Sequence, residues 1–367
     1  MSAFLLPRTD PAQAPMPLIL IRADASPAKG TGHVMRCLAL AEALRAQGAR
    51  AAFACMEITP ALAGRLRDEG IDLHLLDGDD ATATLALGNR LDAAALVVDS
   101  YWLDAGWRRT VRPGFRAVLA LDDLADTDLH ADMVWNPASR AADLPYDRRA
   151  PGAGRLFGPA FLLLRAEIRR AANASRPPPD QRDTILLTFG GSDPAGLTVP
   201  VVKRLAPALP PGVRLEVVAG GSNPALDCVT AACARHAGRI ALHVDSRRIG
   251  ALMAGCGLAI TAGGGTVAEL AALATPCLLA IVADNQAPAG EDARARGWAA
   301  VIDGRGDRAA AADAIATMAL SLWADPARRL DLSRRITMDG IDGLGADRVA
   351  AALLARLAAG PARTGQN

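Results

Sequence analysis

The chain has 367 residues, of which 51% are hydrophobic and 22% charged, enough apolar material for more than one core. Its 40 basic and 39 acidic residues give a formal charge of +1, which argues against nucleic-acid binding driven by bulk charge. The sequence has no run of about 18 apolar residues, so it predicts no membrane span. The six cysteines form no C-x-x-C pair and the five histidines no H-E-x-x-H motif. We therefore expect a cytoplasmic protein of two domains, without a metal site or a cofactor.

Residues 1–16 are rich in proline and alanine and lack the apolar segment of a signal peptide. We expect a disordered leader or a misassigned start there. Pairs of arginines such as Arg108-Arg109 are scattered along the chain and are interpreted as solvated helix faces.

Short apolar runs typical of β-strands alternate with helical patterns from Leu18 onward. The strands predicted in the first half are Leu18–Ile21, Ala51–Cys55, Leu73–Leu76, Leu96–Asp99, Ala117–Leu121 and Met133–Trp135. The first predicted helix is Val34–Ala46. Alternation of this kind predicts a parallel sheet with helices on both faces.

A charged helix over Arg165–Ala172 and the proline-rich segment Arg176–Asp180 separate this series from a second one. The strands predicted there are Thr184–Thr188, Leu215–Ala219, Ile240–His243, Leu258–Thr261, Cys277–Ile281 and Ala299–Ile302. The fold class is therefore α/β, with two Rossmann-like domains that face each other across a cleft. We expect domains over residues 17–165 and 183–345, a linker over 166–182, and a final helix within 346–360 that could cap either domain.

A histidine lies where the first strand passes into the first helix. Residues 22–37 read R-A-D-A-S-P-A-K-G-T-G-H-V-M-R-C, so His33 follows Gly32, and Asp24 lies in the same loop. Ligands of open α/β sheets bind at this end of a strand, and free backbone N–H groups there favour phosphate. The positive helix end favours a neutral imidazole, which suits a general base. A histidine that only caps the helix or packs in the cleft floor is the structural alternative.

Acidic and aromatic side chains follow two later strands of the first half. Asp99 and Tyr101 come directly after a fully apolar run, and Asp122 and Asp123 follow the next strand. An acidic residue at such a position can orient a histidine. For Asp122 and Asp123, solvated turn residues are an equally good interpretation.

Three loops that follow strands of the second half are rich in glycine. They are Thr188–Asp193 with Gly190, Gly191 and Ser192; Ala219–Asn223; and Thr261–Thr266 with Gly264, Gly265 and Thr266. Glycine lets the backbone approach a diphosphate closely, and Glu269, one turn into the next helix, suits ribose hydroxyls. Each glycine pair could also form only a tight turn. Three such loops at one end of one sheet favour a ligand.

Two amides, Asn285 and Gln286, follow the strand Cys277–Ile281 and could hold sugar hydroxyls or acetamido groups. Ordinary loop capping is the alternative. Neither half contains the P-loop motif, and the first loop lacks the third glycine of a nicotinamide fingerprint.

The ordered set of these motifs resembles a known family. The order G-x-G-H, V-D-S-Y, L-D-D, F-G-G-S-D, A-G-G-G-T-x-x-E and V-A-D-N-Q, from Leu18 to Leu357, is similar to the UDP-2,4-diacetamido-2,4,6-trideoxy-β-L-altropyranose hydrolases of pseudaminic acid biosynthesis. Lys29 stands where many relatives carry an apolar residue, and residues 1–16 have no clear counterpart.

The resemblance implies a fold related to GT-B glycosyltransferases and a metal-independent cleavage of UDP from a sugar by water. It implies His33 as the catalytic residue and UDP binding at Gly190–Asp193 and Gly263–Glu269. Sugar contacts are implied near Tyr101 and near Asn285 and Gln286. UDP is a good leaving group, so one base suffices, unlike the two carboxylates of ordinary glycosidases, and attack opposite UDP predicts inversion.

Two other functions remain open from the sequence. A glycosyltransferase of the same fold would use the same base and UDP site but needs an acceptor pocket, often beside a membrane-facing patch. The first half has no long apolar and basic surface helix, which favours hydrolysis. A protein that binds a nucleotide sugar without turnover is the third possibility. The oligomeric state is not predicted.

Overall fold

The structure is a computed structural model that describes residues 16–26, 28–221, 223–337 and 341–360. The predicted leader lies outside the described residues except for Met16. Two parallel sheets, each covered by helices, form two α/β domains. The predicted fold class is therefore confirmed.

The first sheet has seven parallel strands in the order β3-β2-β1-β4-β5-β6-β7. They are β1 (Leu18–Ala23), β2 (Arg50–Cys55), β3 (Asp72–Leu75), β4 (Ala93–Asp99), β5 (Ala117–Leu121), β6 (Met133–Asn136) and β7 (Gly154–Phe157). The helices of this half are α1 (Gly32–Ala46), α2 (Pro60–Asp68), α3 (Asp80–Arg90), α4 (Ala105–Val111) and α5 (Tyr146–Arg149). The central strands are buried on both faces, which explains their continuous apolar runs.

The second sheet has six parallel strands in the order β10-β9-β8-β11-β12-β13. They are β8 (Thr184–Thr188), β9 (Arg214–Ala219), β10 (Ile240–Val244), β11 (Leu258–Ala262), β12 (Cys277–Ile281) and β13 (Ala300–Asp303). The helices from the connection onward are α6 (Ala166–Ala172), α7 (Thr198–Ala208), α8 (Leu226–Ala234), α9 (Ile249–Gly255), α10 (Thr266–Ala272), α11 (Ala287–Arg296), α12 (Arg308–Trp323), α13 (Pro326–Ile336) and α14 (Gly345–Ala358).

The connection and the last helix tie the two halves together. Ile168 of α6 packs in a core cluster of the second domain, and Gly250 of α9 lies so close to the α6 backbone that an added Cβ would be 2.5 Å from the carbonyl oxygen of Glu167. In contrast, α14 returns to the first domain, where Val349 and Leu353 join the core around α1. The structure thus decides which domain the last helix covers.

Two sequence interpretations need correction. Strand β7 was not predicted, because it is a four-residue edge strand that begins with Gly154-Arg155 and has little apolar pattern. Arg108 is not on a solvated helix face: it is buried, and its guanidinium donates to the carbonyl oxygens of Ser100 and Leu103. It therefore holds the segment between β4 and α4.

Within the described ranges, the helices are all too short or too polar to cross a lipid bilayer.

Candidate active site at two strand crossover points

Each sheet has one point where the chain reverses its winding direction. In the first sheet β1 and β4 are neighbours there, and in the second sheet β8 and β11 are. The loops that follow two such strands diverge to opposite faces and leave a crevice, where open α/β sheets bind ligands. His33 follows β1 and Asp99 ends β4, whereas Gly190 follows β8 and Gly264 follows β11.

The loop between β1 and α1 contains a tight turn, and hydrogen bonds to the buried Asp24 side chain stabilise it. Gly30 has φ of +73° and its N–H donates to the carbonyl oxygen of Ser26, a conformation that favours glycine. Asp24 is buried and accepts hydrogen bonds from the side chains of Arg22 and Lys29 and from the backbone of Met56 and Glu57. Asp24 therefore supports the loop, and its predicted contact with substrate stays a prediction.

His33 is held by the end of β4. Its Nδ1 lies 2.6 Å from Oδ1 of Asp99, and its side chain is 9% exposed. With Asp99 ionised, a neutral imidazole at this position carries its proton on Nδ1 and has its free lone pair on Nε2. In the part of the chain that the structure describes, no hydrogen-bond partner is found for Nε2. The arrangement presents an oriented basic nitrogen, as a catalytic histidine with an orienting carboxylate does.

Arg36, which was not predicted from the sequence, stabilises the ionised form of Asp99. Burial alone would raise the pKa of Asp99, but the guanidinium of Arg36 and the imidazole of His33 hold it well below its usual range. Arg36 donates from Nε and Nη2 to the two oxygens of Asp99, both at 2.6 Å. The signal available in the sequence was the spacing: Arg36 follows His33 by three residues, so both side chains share one face of α1.

Two aromatic side chains after β4 cover the imidazole. The ring of Tyr101 packs edge-to-face on His33 with centroids 4.7 Å apart, and Trp102 lies 6.0 Å away. The Tyr101 hydroxyl donates to Asp123 at 2.5 Å, and burial together with Asp123 raises the pKa of the phenol. Tyr101 thus lies beside the histidine, and its predicted sugar contact stays a prediction. Trp102, which was not predicted, is more than half exposed.

Asp122 and Asp123 differ in role although they are adjacent. Oδ2 of Asp122 accepts from the backbone N–H groups of Leu124 and Ala125 and from the Tyr146 hydroxyl, so the buried Asp122 side chain stabilises the turn that follows β5. Asp123 faces the site through Arg36 and Tyr101. Neither aspartate contacts His33 in the described hydrogen-bond network; Asp99 is the carboxylate that does.

The glycine loop after β8 meets the histidine loop of the other domain. A Cβ added to Gly191 would lie 3.2 Å from Oγ1 of Thr31, the residue that precedes α1. Gly190 has φ of +83° and is exposed, whereas Ser192 is buried. Asp193 accepts hydrogen bonds from the backbone of Leu197 and Thr198 and so stabilises the start of α7. The two domains therefore approach each other where the loop after β8 meets the residue that precedes α1.

The loop after β11 exposes bare backbone. Around Gly264 and Gly265, no described heavy atom lies within 4 Å of the position that a Cβ would take, and Thr266 begins α10. Gln286 supports this loop from below, because its Oε1 accepts from the N–H groups of Gly263 and Val282. Asn285 is exposed beside it. The predicted sugar contact of Gln286 would use its remaining amide nitrogen.

Glu269 has an unexpected partner from the domain connection. Both of its oxygens accept hydrogen bonds from Arg165 at 2.7 Å, and Arg165 also pairs with Glu167 at 2.8 Å. Burial raises the pKa of Glu269 and Arg165 opposes that effect. Ribose hydroxyls would have to share this carboxylate with Arg165, so the predicted role of Glu269 stays a prediction.

The sequence is similar to two curated proteins, although no protein-family model matches it. It is 25% identical over 239 residues to the UDP-2,4-diacetamido-2,4,6-trideoxy-β-L-altropyranose hydrolase of Campylobacter jejuni, which covers 64% of this chain and 81% of that protein. It is 24% identical over 193 residues to an uncharacterized protein of Methanocaldococcus jannaschii, covering 51% of this chain. The match spans only 39% of that relative.

Solved structures are similar over nearly the whole chain. The calicheamicin glycosyltransferase CalG4 superposes with a TM-score of 0.61 at 16% identity, covering 96% of this chain and 100% of that one. MurG of Acinetobacter baumannii superposes with a TM-score of 0.57 at 14% sequence identity, covering 93% of this chain and 100% of that one. S. aureus MnaA, in a co-structure with UDP, superposes with a TM-score of 0.59 at 12% sequence identity, covering 94% of this chain and 97% of that one. These likenesses establish the GT-B fold.

Proposed function

We propose that this protein hydrolyses UDP-2,4-diacetamido-2,4,6-trideoxy-β-L-altropyranose to the free sugar and UDP without a metal ion, with His33 as the general base. One observation carries the proposal: a carboxylate-oriented histidine lies at the crossover point of one sheet, exposed glycine loops lie at that of the other, and the two loops meet where Gly191 approaches Thr31. The similarity to the Campylobacter jejuni hydrolase supports this choice of substrate. The reaction would then belong to pseudaminic acid biosynthesis.

The chemistry follows from the free nitrogen of His33. Nε2 takes a proton from a water molecule while Nδ1 keeps its own proton on Asp99. The water oxygen forms a bond to C1 of the sugar on the face opposite UDP. The bond between C1 and the phosphate oxygen breaks, and UDP leaves with the electron pair. The product sugar therefore has inverted anomeric configuration, and Asp99 stabilises the imidazolium that forms.

The glycine loops would stabilise the leaving group. Negative charge grows on the β-phosphate as the bond breaks, and preorganised N–H donors are most effective against charge that develops in the transition state. Gly190, Gly264 and Gly265 are exposed at the carboxyl ends of β8 and β11, so they offer backbone N–H groups without a side chain in the way. We assign UDP to these loops and the ribose to Glu269.

The sugar would lie between the two domains, next to the histidine. Tyr101 offers an aromatic face beside His33, and the amides of Asn285 and Gln286 lie beside the glycine loop of the second domain. Amides can bind acetamido groups without adding charge, which suits a diacetamido sugar.

The test is an assay of UDP release from a panel of UDP-acetamido sugars, with EDTA present and no acceptor. We expect release from the diacetamido-altropyranose, little from UDP-N-acetylglucosamine, and one ¹⁸O atom in the product sugar when the solvent is H₂¹⁸O. NMR of the nascent sugar should show the inverted anomer. Release that requires an added acceptor would instead identify a glycosyltransferase, and binding without turnover would identify a nucleotide-sugar binding protein; either result overturns the proposal.

A further inference from the structure

Arg36 donates three side-chain hydrogen bonds at the site, yet the proton transfer proposed above does not use it. Besides its two bonds to Asp99, it donates from Nη1 to Asp123 at 3.0 Å. Its guanidinium carbon lies 5.2 Å from the ring centroid of Trp135. Arginine stays protonated in proteins, so Arg36 is not itself a base. We therefore consider how its hydrogen bonds to Asp99 affect His33.

Arg36 and His33 compete for one buried oxygen. Oδ1 of Asp99 lies 2.6 Å from Nδ1 of His33 and 2.6 Å from Nη2 of Arg36. The two nitrogens are 3.4 Å apart. A protonated imidazole would place a second positive charge in contact with the guanidinium, where screening by water is weak. A neutral imidazole that donates from Nδ1 meets no such penalty.

The other groups around this pair do not replace the guanidinium. Tyr101 packs on the imidazole and bonds to Asp123, while Cys37 on α1 lies 3.4 Å from Asp99. Burial raises the pKa of the Cys37 thiol and, with Asp123, that of the Tyr101 phenol, so both are neutral at physiological pH. Lys29 lies beyond Trp102, with its ammonium 5.4 Å from that ring, and pairs with Asp24. The charges that face His33 directly are therefore those of Asp99 and Arg36.

We propose that Arg36 is a positioning residue that keeps His33 in its neutral, Nδ1-protonated form by binding both oxygens of Asp99 and offsetting part of its negative charge. Without the guanidinium, the buried carboxylate would favour the imidazolium, which cannot accept a proton from water. The link to the reaction rate rests on the function proposed above. The link to the charge state of His33 does not.

The experiment separates charge from geometry with three variants. Arg36→Gln removes the positive charge, and Arg36→Lys keeps the charge but loses the bidentate hydrogen bonds to Asp99. Arg45→Gln is the matched control, because Arg45 lies on the same helix and bonds only to the carbonyl oxygen of Glu69 among described partners. The readout is the titration of His33 followed by NMR in histidine-labelled protein, assigned by comparison with His33→Gln among the five histidines.

We expect Arg36→Gln to move the midpoint of the His33 titration upward by about one pH unit or more, the usual scale for loss of an adjacent charge. Arg36→Lys should move it by less than half of that, and Arg45→Gln should leave it unchanged. In the UDP-release assay, the acidic limb of the kcat profile should move upward in Arg36→Gln while KM stays within about twofold. An unchanged midpoint in folded Arg36→Gln, or an equal rise in Arg36→Lys, overturns the proposal.

A second comparison covers the case in which Arg36→Gln does not fold. Asp99→Asn with Arg36 intact leaves His33 beside an uncompensated cation, whereas Asp99→Asn combined with Arg36→Gln removes both charges. The double variant should titrate at a higher pH than the single one; equal midpoints would show that the guanidinium does not act on His33. These titrations need no substrate, so they decide the role of Arg36 even if the wild-type protein releases no UDP.

Discussion

The two crossover points have the same topology and opposite chemistry. In the first domain the crevice is filled with side chains, where His33, Asp99 and Arg36 are joined by hydrogen bonds of 2.6 Å. In the second domain the crevice is lined by backbone, because no described side chain lies near the Cβ positions of Gly264 and Gly265. Reacting groups need fixed side chains, whereas a diphosphate is best met by N–H groups that it can approach closely. On the proposed function, the first domain therefore carries the chemistry and the second binds UDP.

The largest effect that this division predicts is on His33. We expect His33→Gln to lower kcat by about a thousandfold, the scale of lost general-base catalysis, while calorimetry shows UDP binding unchanged. The matched control is His243→Gln, because His243 forms a similar 2.6 Å pair with Glu216 on the edge of the second sheet. A wild-type kcat for His33→Gln would show that His33 is not the general base and that the first domain does not supply the reacting group.

Asp99→Asn should have the next largest effect. The amide cannot stabilise the imidazolium that forms and can favour the wrong tautomer of His33, so we expect kcat to fall about a hundredfold with KM little changed. Steady-state kinetics at several pH values tests this expectation. A loss confined to KM would mean that Asp99 acts in binding, and the contrast between the domains would weaken.

The glycine loops should respond in binding rather than in chemistry. Gly264→Ala adds a methyl group in open space, so we expect unchanged thermal stability and a KM about tenfold higher through lost approach to the diphosphate. Gly220→Ala is the contrasting variant, because its Cβ would lie 2.5 Å from the carbonyl oxygen of Gly191 and should lower the melting temperature. A Gly264→Ala enzyme with normal KM would place the diphosphate elsewhere.

Glu269 sharpens the comparison on a smaller scale. If its carboxylate holds the ribose, Glu269→Gln should raise KM about fivefold with kcat nearly constant, as expected for a lost charge-assisted hydrogen bond. Arg165→Lys perturbs the same ion pair and leaves the carboxylate in place. Equal rises in KM for the two variants would indicate that the pair only supports the domain connection.

The smallest expected effect is on acid stability. Since the pKa of Asp99 is lower in the folded than in the unfolded chain, its ionisation stabilises the fold above pH about 4. That contribution is lost as pH falls toward the folded value. Unfolding by urea between pH 2 and 5 should therefore show a flatter pH dependence for Asp99→Asn. An unchanged slope would mean that Asp99 is no more acidic in the fold than outside it.

Much of the fold was readable from the sequence because buried parallel strands are continuous apolar runs. Leu18–Ile21 and Cys277–Ile281, for example, are strands with every residue buried. The edge strand Gly154–Phe157 escaped prediction because a half-exposed strand need not be apolar. The C-terminal helix, which could have covered either domain, packs on the first through contacts that span some 300 residues of sequence.

The candidate site was partly readable for a related reason. Loops at strand ends pointed to His33, Asp99 and the glycine runs, since the topology of an open sheet brings the carboxyl ends of its strands together. Arg36 carried only the weak signal of its spacing from His33 and Arg165 carried none, because an arginine on a helix or at a domain end is usually solvated. Asp24 was expected at the ligand, yet its described hydrogen bonds come from Arg22, from Lys29 and from the backbone that follows β2.

The sequence by itself determined the order of strands and helices, the two-domain α/β plan and the places where loops could bind a ligand. Those properties follow from hydrophobic periodicity and glycine, which act over a few neighbouring residues. The tertiary structure alone decided that Asp99 rather than Asp122 meets His33, that Arg36 shares that carboxylate, and that Thr31 faces Gly191 across the domains. Such pairings depend on distances between residues far apart in the chain, which only the packing of sheets and helices can fix.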